Sequence, residues 1–244
     1  MQYCQPASLV VDWVSSQADR QNIPKRVHEI FPGGLADAQY GFATMLDNGH
    51  GVPEDHVAAE IWYRRAADND HLSAQLSLGY IFREGLGVRQ DYSESRRWYV
   101  KAANNGDCAR AALNLGHLYN LGLGAEQSYA QAVSWYLVAA AHEPDADDDD
   151  IPYVWEAQKN LREIAVPIRQ LAERDDANAQ YALSLMYEAG EGIEPDKSGA
   201  LKWRRLAADN GYVISLMQNT SATLQPGSLR PTRVSFARAP NRTI

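Results

Sequence analysis

The stretch Glu84–Asp91 reads EGLGVRQD, with two glycines one residue apart ahead of an apolar residue and a short polar run. Taken alone it fits the bend of a phosphate-cradling loop or the bend between two helices. A phosphate loop needs a strand before the turn, a helix after it, and usually a lysine or a third glycine in register, so a lone GxG does not settle the matter. The rest of the chain does. The same bend returns as GHGV at 49–52, GLGA at 122–125 and GEGI at 190–193.

Each bend lies between two further blocks that recur. Before it stand ADAQYGFATMLDN, SAQLSLGYIFRE, RAALNLGHLYNL and NAQYALSLMYEA; after it stand AEIWYRRAADND, SRRWYVKAANNG, AVSWYLVAAAHE and ALKWRRLAADNG. Ala38 and Ala74 are 36 residues apart, as are Trp62 and Trp98, and Trp98 precedes Trp135 by 37. That period belongs to two-helix solenoid units. The first block places Ala38, Phe42 and Leu46 at i, i+4 and i+8, then Ala74, Leu78 and Phe82, Ala111, Leu115 and Tyr119, and Ala179, Leu183 and Tyr187. This is one stripe of an α-helix. Within the stripe Ala43, Gly79, Gly116 and Ser184 are small, as a closely approaching partner helix requires. The second block opens at Asp55, Asp91, Ser128 or Asp196, all good N-caps, with Glu94 or Gln131 three residues on completing two capping boxes. A small residue, a tryptophan and an Ala-Ala pair follow on one face, as in Ala59, Trp62, Ala66 and Ala67.

These units resemble the Sel-one-like repeat, a relative of the tetratricopeptide repeat, whose pattern runs from a small residue through Leu-Gly, Tyr, the GxGV bend and an Asp to WYxxAA. The resemblance covers about four units over residues 36–211 and departs from the pattern at Ala43, Ser184, Ser128, Ala125 and Arg204. It implies an all-α, right-handed α-α superhelix with units at about 36–70, 71–106, 107–142 and 177–211. Residues 151–176 read as a decayed unit: AQKNLREIA at 157–165 resembles a first helix, with the glycine bend and half of the second helix missing. Residues 1–35 read as N-terminal capping helices, a pair at 7–20 and 23–31. Residues 212–244 read as the start of a final helix and a flexible tail; positions 218–244 hold four arginines and no acid, which leaves −12 on the remainder.

The chain has 244 residues, is 45% hydrophobic, and carries 31 acidic against 23 basic side chains for a net charge of −8. That is the composition of a folded protein whose field repels phosphate backbones and anionic membranes, so nucleic acid is not an expected partner. No run approaches the roughly 20 apolar residues of a membrane helix. The opening MQYCQPASLVVDWVSS lacks the basic start of a secretory leader, which makes the cytoplasm the expected compartment, or the periplasm if a leader has been removed. Cys4 and Cys108 form no metal spacing and read as two free thiols.

Signs of chemistry are sparse. There is no GxSxG, no HExxH, and no serine three residues before any of the five lysines. His50 and His56 flank one bend with Asp55, but Asp55 is already explained as an N-cap. The aspartates Asp145, Asp147, Asp148, Asp149 and Asp150 lack the alternating spacing and the glycine of a calcium loop and read as a solvated acidic loop. Neither a cofactor nor a metal site is expected. Among relatives, cysteine-rich Sel-one-like proteins have been associated with β-lactam binding, but they staple each unit with a disulfide that this chain cannot form.

What the repeats imply instead is a concave wall made by the first helices. By register it presents Asp37, Tyr40, Thr44, Asp47 and Asn48, then Leu76, Tyr80, Arg83 and Glu84, then Arg110, His117, Asn120 and Leu121, and finally Asn178, Tyr181, Leu185 and Glu188. Aromatic, aliphatic and charged side chains in one groove suit a protein or peptide partner. The expected function is a non-catalytic interaction module, monomeric or weakly self-associating. A sharper version, a role known for some stand-alone Sel-one-like proteins, is an immunity protein that neutralises a secreted toxin. Two rival classes are a hydrolase using Asp47 and Glu84, and an assembly element docking a second copy.

Overall fold

A computed structural model describes residues 35–106, 109–142 and 151–213. The expected N-terminal helices, the Asp145–Asp150 run and the chain beyond Val213 lie outside these residues. Among the described residues there are nine α-helices and no strand: α1 (Leu35–Asn48), α2 (His56–Asp68), α3 (Leu72–Glu84), α4 (Tyr92–Asn105), α5 (Ala109–Leu121), α6 (Tyr129–Ala140), α7 (Ile151–Ala172), α8 (Ala177–Ala189) and α9 (Lys197–Asp209). The pairs α1–α2, α3–α4, α5–α6 and α8–α9 pack most extensively, and α2 on α3 and α4 on α5 join consecutive pairs into a solenoid.

The bends follow one plan. The first glycine ends its helix in the left-handed region, at φ +78° for Gly85 and +71° for Gly190, where a side chain would be strained. The N–H groups of Gly85 and Leu86 both donate to the Ile81 carbonyl, at 2.8 and 3.1 Å. These amides are therefore engaged within the bend, whose role is a helix hinge. Immediately before the next helix, the Asp91 N–H donates back to Phe82 O at 2.9 Å, and Asp55, Ser128 and Asp196 repeat this bond to Leu46, Tyr119 and Tyr187. Their side chains then cap α2, α4, α6 and α9.

The second glycine seats one unit on the previous one. A methyl group on Gly87 would lie 2.6 Å from the His56 Cβ at the start of α2, and one on Gly124 would lie 2.3 Å from the Tyr92 carbonyl carbon at the start of α4. Within a unit the small residue of the first helix admits the tyrosine of the second. A methyl on Gly79 would stand 2.5 Å from the Tyr99 ring and one on Gly116 2.4 Å from the Tyr136 ring. In the last unit Arg204 replaces that tyrosine and Ser184 replaces that glycine. The tyrosines Tyr63, Tyr99 and Tyr136 are buried, whereas among the adjoining tryptophans Trp98 is buried and Trp62, Trp135 and Trp203 are only partly covered.

Residues 151–172 differ from the sequence expectation. They form one continuous helix in place of a truncated pair, and its last part is built as a second helix, although Ala157 and Leu161 satisfy the first-helix spacing. The bend glycine Gly192 approaches the Leu161 carbonyl, where a methyl would be 2.7 Å away, as Gly87 approaches the start of α2. Pro152 stands in the first turn, where its missing N–H costs nothing. The ten residues from Ile151 to Asn160 extend the helix beyond the length of its counterparts, and α7 packs on α5 and α6 as well as α8.

Candidate functional site

The concave side holds a groove of about 440 Å³ built by side chains from four helices in succession, α1, α3, α5 and α7. Helix α1 supplies Tyr40 and Asp47; α3 supplies Leu76, Ser77, Tyr80, Ile81 and Arg83. Helix α5 adds Arg110, Leu113, Asn114 and His117, α7 adds Tyr153 and Glu156, and Tyr99 of α4 reaches the floor. The 3.6-residue period places α3 positions 76, 80 and 83, and α5 positions 110, 114 and 117, on one face of each helix.

At the α1 end the polar groups are mutually engaged. Asp47 accepts a hydrogen bond from His56 Nδ1 at 2.9 Å and one from the Tyr63 hydroxyl at 3.3 Å. The other nitrogen of His56 lies 3.1 Å from Glu54. The hydrogen bond to Asp47 is the main reason that the His56 pKa is raised. Tyr40 stacks on His71, with ring centroids 4.5 Å apart. His71 accepts from the Ala74 N–H through Nδ1, capping α3, which leaves Nε2–H to donate to Asp37 at 3.3 Å. Burial lowers the His71 pKa, against the pull of Asp37.

The centre of the groove is aromatic and cationic. Tyr80 is 47% exposed, and the Arg83 guanidinium lies over its ring at 5.2 Å. Arg83 also donates through Nε to Glu84 at 2.7 Å and through Nη1 to Asn114. Arg110 lies over Tyr153 at 5.7 Å from the ring centroid. Both arginines act on the buried Tyr99 phenol, whose pKa burial pushes up to about 12 while they pull it down. At the α7 end His117 meets Asn160 at 2.9 Å and Glu156 at 4.0 Å, and burial holds its pKa down.

The groove therefore gathers Tyr40, Asp47, Leu76, Tyr80, Arg83, Arg110 and His117 from the residues expected by register, with Leu76 buried as part of the floor. Asp37 instead serves His71. Thr44 donates to the Tyr40 carbonyl, Asn48 donates to the Thr44 carbonyl, Asn120 lends its carbonyl to Gln127, and Leu121 is exposed at the end of α5. The four residues expected from the last unit are not part of it. Tyr181 is 4% exposed and stacks on Tyr212, Leu185 is buried in the core, and Glu188 pairs with Arg204. Asn178 bridges to the start of α6, accepting from the Ala130 N–H and donating to Ser128. The physical reason is α7, which packs between α5 and α8 and presents Tyr153 and Glu156 where the next first helix was expected. Ser77, Ile81, Leu113, Asn114 and Tyr99 were legible only as neighbours of the stripe; Tyr153 and Glu156 lay in a segment with no repeat pattern to place them.

No metal cluster of three or more His, Cys, Asp or Glu side chains occurs among the described residues, and no helix among them is long and apolar enough to cross a membrane. The Sel1 repeat model matches residues 36–71, 72–107, 109–143 and 177–212, leaving out the whole of α7. Similar solved structures include a Sel1 repeat protein from Oxalobacter formigenes, at 24% identity and a TM-score of 0.46 over 86% of this chain and 88% of that one. Another is a protective antigen present in uropathogenic Escherichia coli strains and displaying an SLR fold, at 24% identity and a TM-score of 0.32 over 76% of this chain and 56% of that one. No curated protein matches the sequence. With four matched units spanning more than half of its 244 residues, the chain belongs to the Sel1 repeat family.

Proposed function

We propose that the protein is a non-catalytic interaction module that holds a protein or peptide segment in the groove between α1 and α7. The observation that supports this reading is the groove itself: exposed Tyr80, partly buried arginines and apolar Leu76 and Leu113 converge there from successive repeats. Aromatic and arginine anchors beside an apolar floor are the side chains that dominate protein interfaces. The hydrolase reading finds less support, since Asp47 is engaged by His56 and Tyr63 and Glu84 by Arg83. Neutralisation of a basic toxin is the sharper form of the same binding reading, favoured by the net charge of −8.

Affinity capture from source cells, with bound proteins identified by mass spectrometry, tests the groove. A partner retained by wild type and by Arg205→Ala, on the exposed side of α9, should be lost with Tyr80→Ala. Equal recovery with Tyr80→Ala would remove the groove from the binding surface. Growth protection on co-expression with a captured toxin would select the immunity form, and growth arrest would eliminate it.

A further inference from the structure

We infer that the groove selects a peptide segment bearing an acidic side chain, whose carboxylate is held by Arg110 with Arg83 beside it. This rests on the groove being the binding surface. Arg110 stands on α5 with its Nε buried and without a hydrogen-bond partner, and no carboxylate of the described residues pairs with it. That is an unusual position in a chain with 31 acidic side chains against 23 basic ones. Glu156, which lines the same groove, turns to His117. The buried Nε is closed to a ligand, so a carboxylate meets the terminal nitrogens of the guanidinium, where it supplies the counter-charge that no described residue provides.

The surroundings fit a carboxylate better than another acceptor. Arg110 and Arg83 both act on the Tyr99 phenol, so their positive charges converge on one part of the groove. Each also lies over a tyrosine ring, Arg110 over Tyr153 and Arg83 over Tyr80. Such stacking holds the planar fork in place, and a fixed fork presents parallel N–H donors that match the two oxygens of a carboxylate. The exposed ring of Tyr80 and the side chain of Leu76 offer apolar contact to neighbouring residues of the same segment.

The experiment is a selection from a display library of random dodecapeptides, each ending in a linker so that no free terminal carboxylate is present, against the full chain. An aspartate or glutamate should be enriched at one position. Replacing it by its amide in the synthetic, end-capped peptide should weaken binding about tenfold or more. With Arg110→Gln the acidic and amide peptides should bind alike, and Arg110→Lys should restore only part of the difference, because it keeps the charge without the fork. Thermal unfolding of each variant establishes that it is folded. Peptides that depend on Tyr80 but show no acidic position, or an acid preference that survives Arg110→Gln, would overturn the carboxylate assignment alone. A selection that yields no groove-dependent peptide would overturn the groove reading and this one with it.

Discussion

Gln180 donates from Nε2 to the carbonyl of Ala172 at 3.0 Å, as Gln75 donates to the carbonyl of Ala67 at 3.2 Å. Both glutamines are fully buried, and each accepts through Oε1 from an asparagine at the end of the following helix, Asn210 for Gln180 and Asn105 for Gln75. The correspondence makes the C-terminal end of α7 equivalent to that of α2. Gln180→Ala removes both of its hydrogen bonds, leaving Asp175 to serve the Ala172 carbonyl through its N–H and the Asn210 amide through its carboxylate, and should destabilise the protein by about 1–3 kcal/mol. Urea unfolding measures it. A midpoint unchanged from wild type would mean that the ladder does not hold α8 on α7.

Close approach within a unit gives a second expectation. Gly116 faces the Tyr136 ring so tightly that a methyl would sit 2.4 Å from it. Gly116→Ala should cost about 1–3 kcal/mol by overpacking, and trimming the ring with Tyr136→Leu should make the two changes less than additive. Strictly additive losses in a double-mutant cycle would show that the alanine is accommodated some other way.

The two glycines of a bend should differ in kind. Gly122 and Gly124 both have positive φ, +67° and +68°, so each alanine carries the same local strain. Only at Gly124 does the added methyl meet the backbone of another unit, 2.3 Å from the Tyr92 carbonyl carbon; at Gly122 the nearest atom is the Gln127 Cβ at 3.2 Å. Gly124→Ala should therefore lower the unfolding midpoint more than Gly122→Ala, and should speed amide exchange in α4 as well as in α5. Equal midpoints would argue that the second glycine serves conformation alone and not the seating of repeats.

The bends, helix stripes and N-caps were legible because each rests on a residue type that only one local geometry favours: Gly85 in the left-handed region, Asp91 at a helix start. The glutamine ladder was not, because nothing in the pattern marks Gln75 and Gln180 for burial, which depends on carbonyls of the preceding helix, Ala67 and Ala172. Helix α7 was misread because Ala157 and Leu161 satisfy any amphipathic helix, first or second. From that followed the error over the groove. Tyr181 and Leu185 have the register of groove residues, but Tyr181 stacks on Tyr212 and both join the core that α7 helps to build, and register along one helix carries no information about an unpatterned neighbour. Asp37 and Asn178 fell to another cause: short polar side chains near helix starts found partners distant in sequence, His71 and the α6 N-terminus, that spacing alone does not reveal.

Acid–base behaviour offers the last test, because the histidines pull in opposite directions. His56 has carboxylates at both ring nitrogens, Asp47 at 2.9 Å and Glu54 at 3.1 Å, and its folded pKa is raised above the ordinary 6.5 chiefly by the hydrogen bond to Asp47. A raised folded pKa means that the stabilisation is fully present below pH 6.5 and is lost as the pH climbs through the folded value. His71 and His117 are lowered by burial, so their effect is the reverse: it is present above pH 6.5 and is lost as the pH falls. Comparing wild type with His56→Gln isolates the first effect, since the other two histidines are common to both. The difference in Tm should be largest near pH 6 and shrink toward pH 8.5. A difference that is constant across that range, or that grows with pH, would show that His56 is not held as an imidazolium between its two carboxylates.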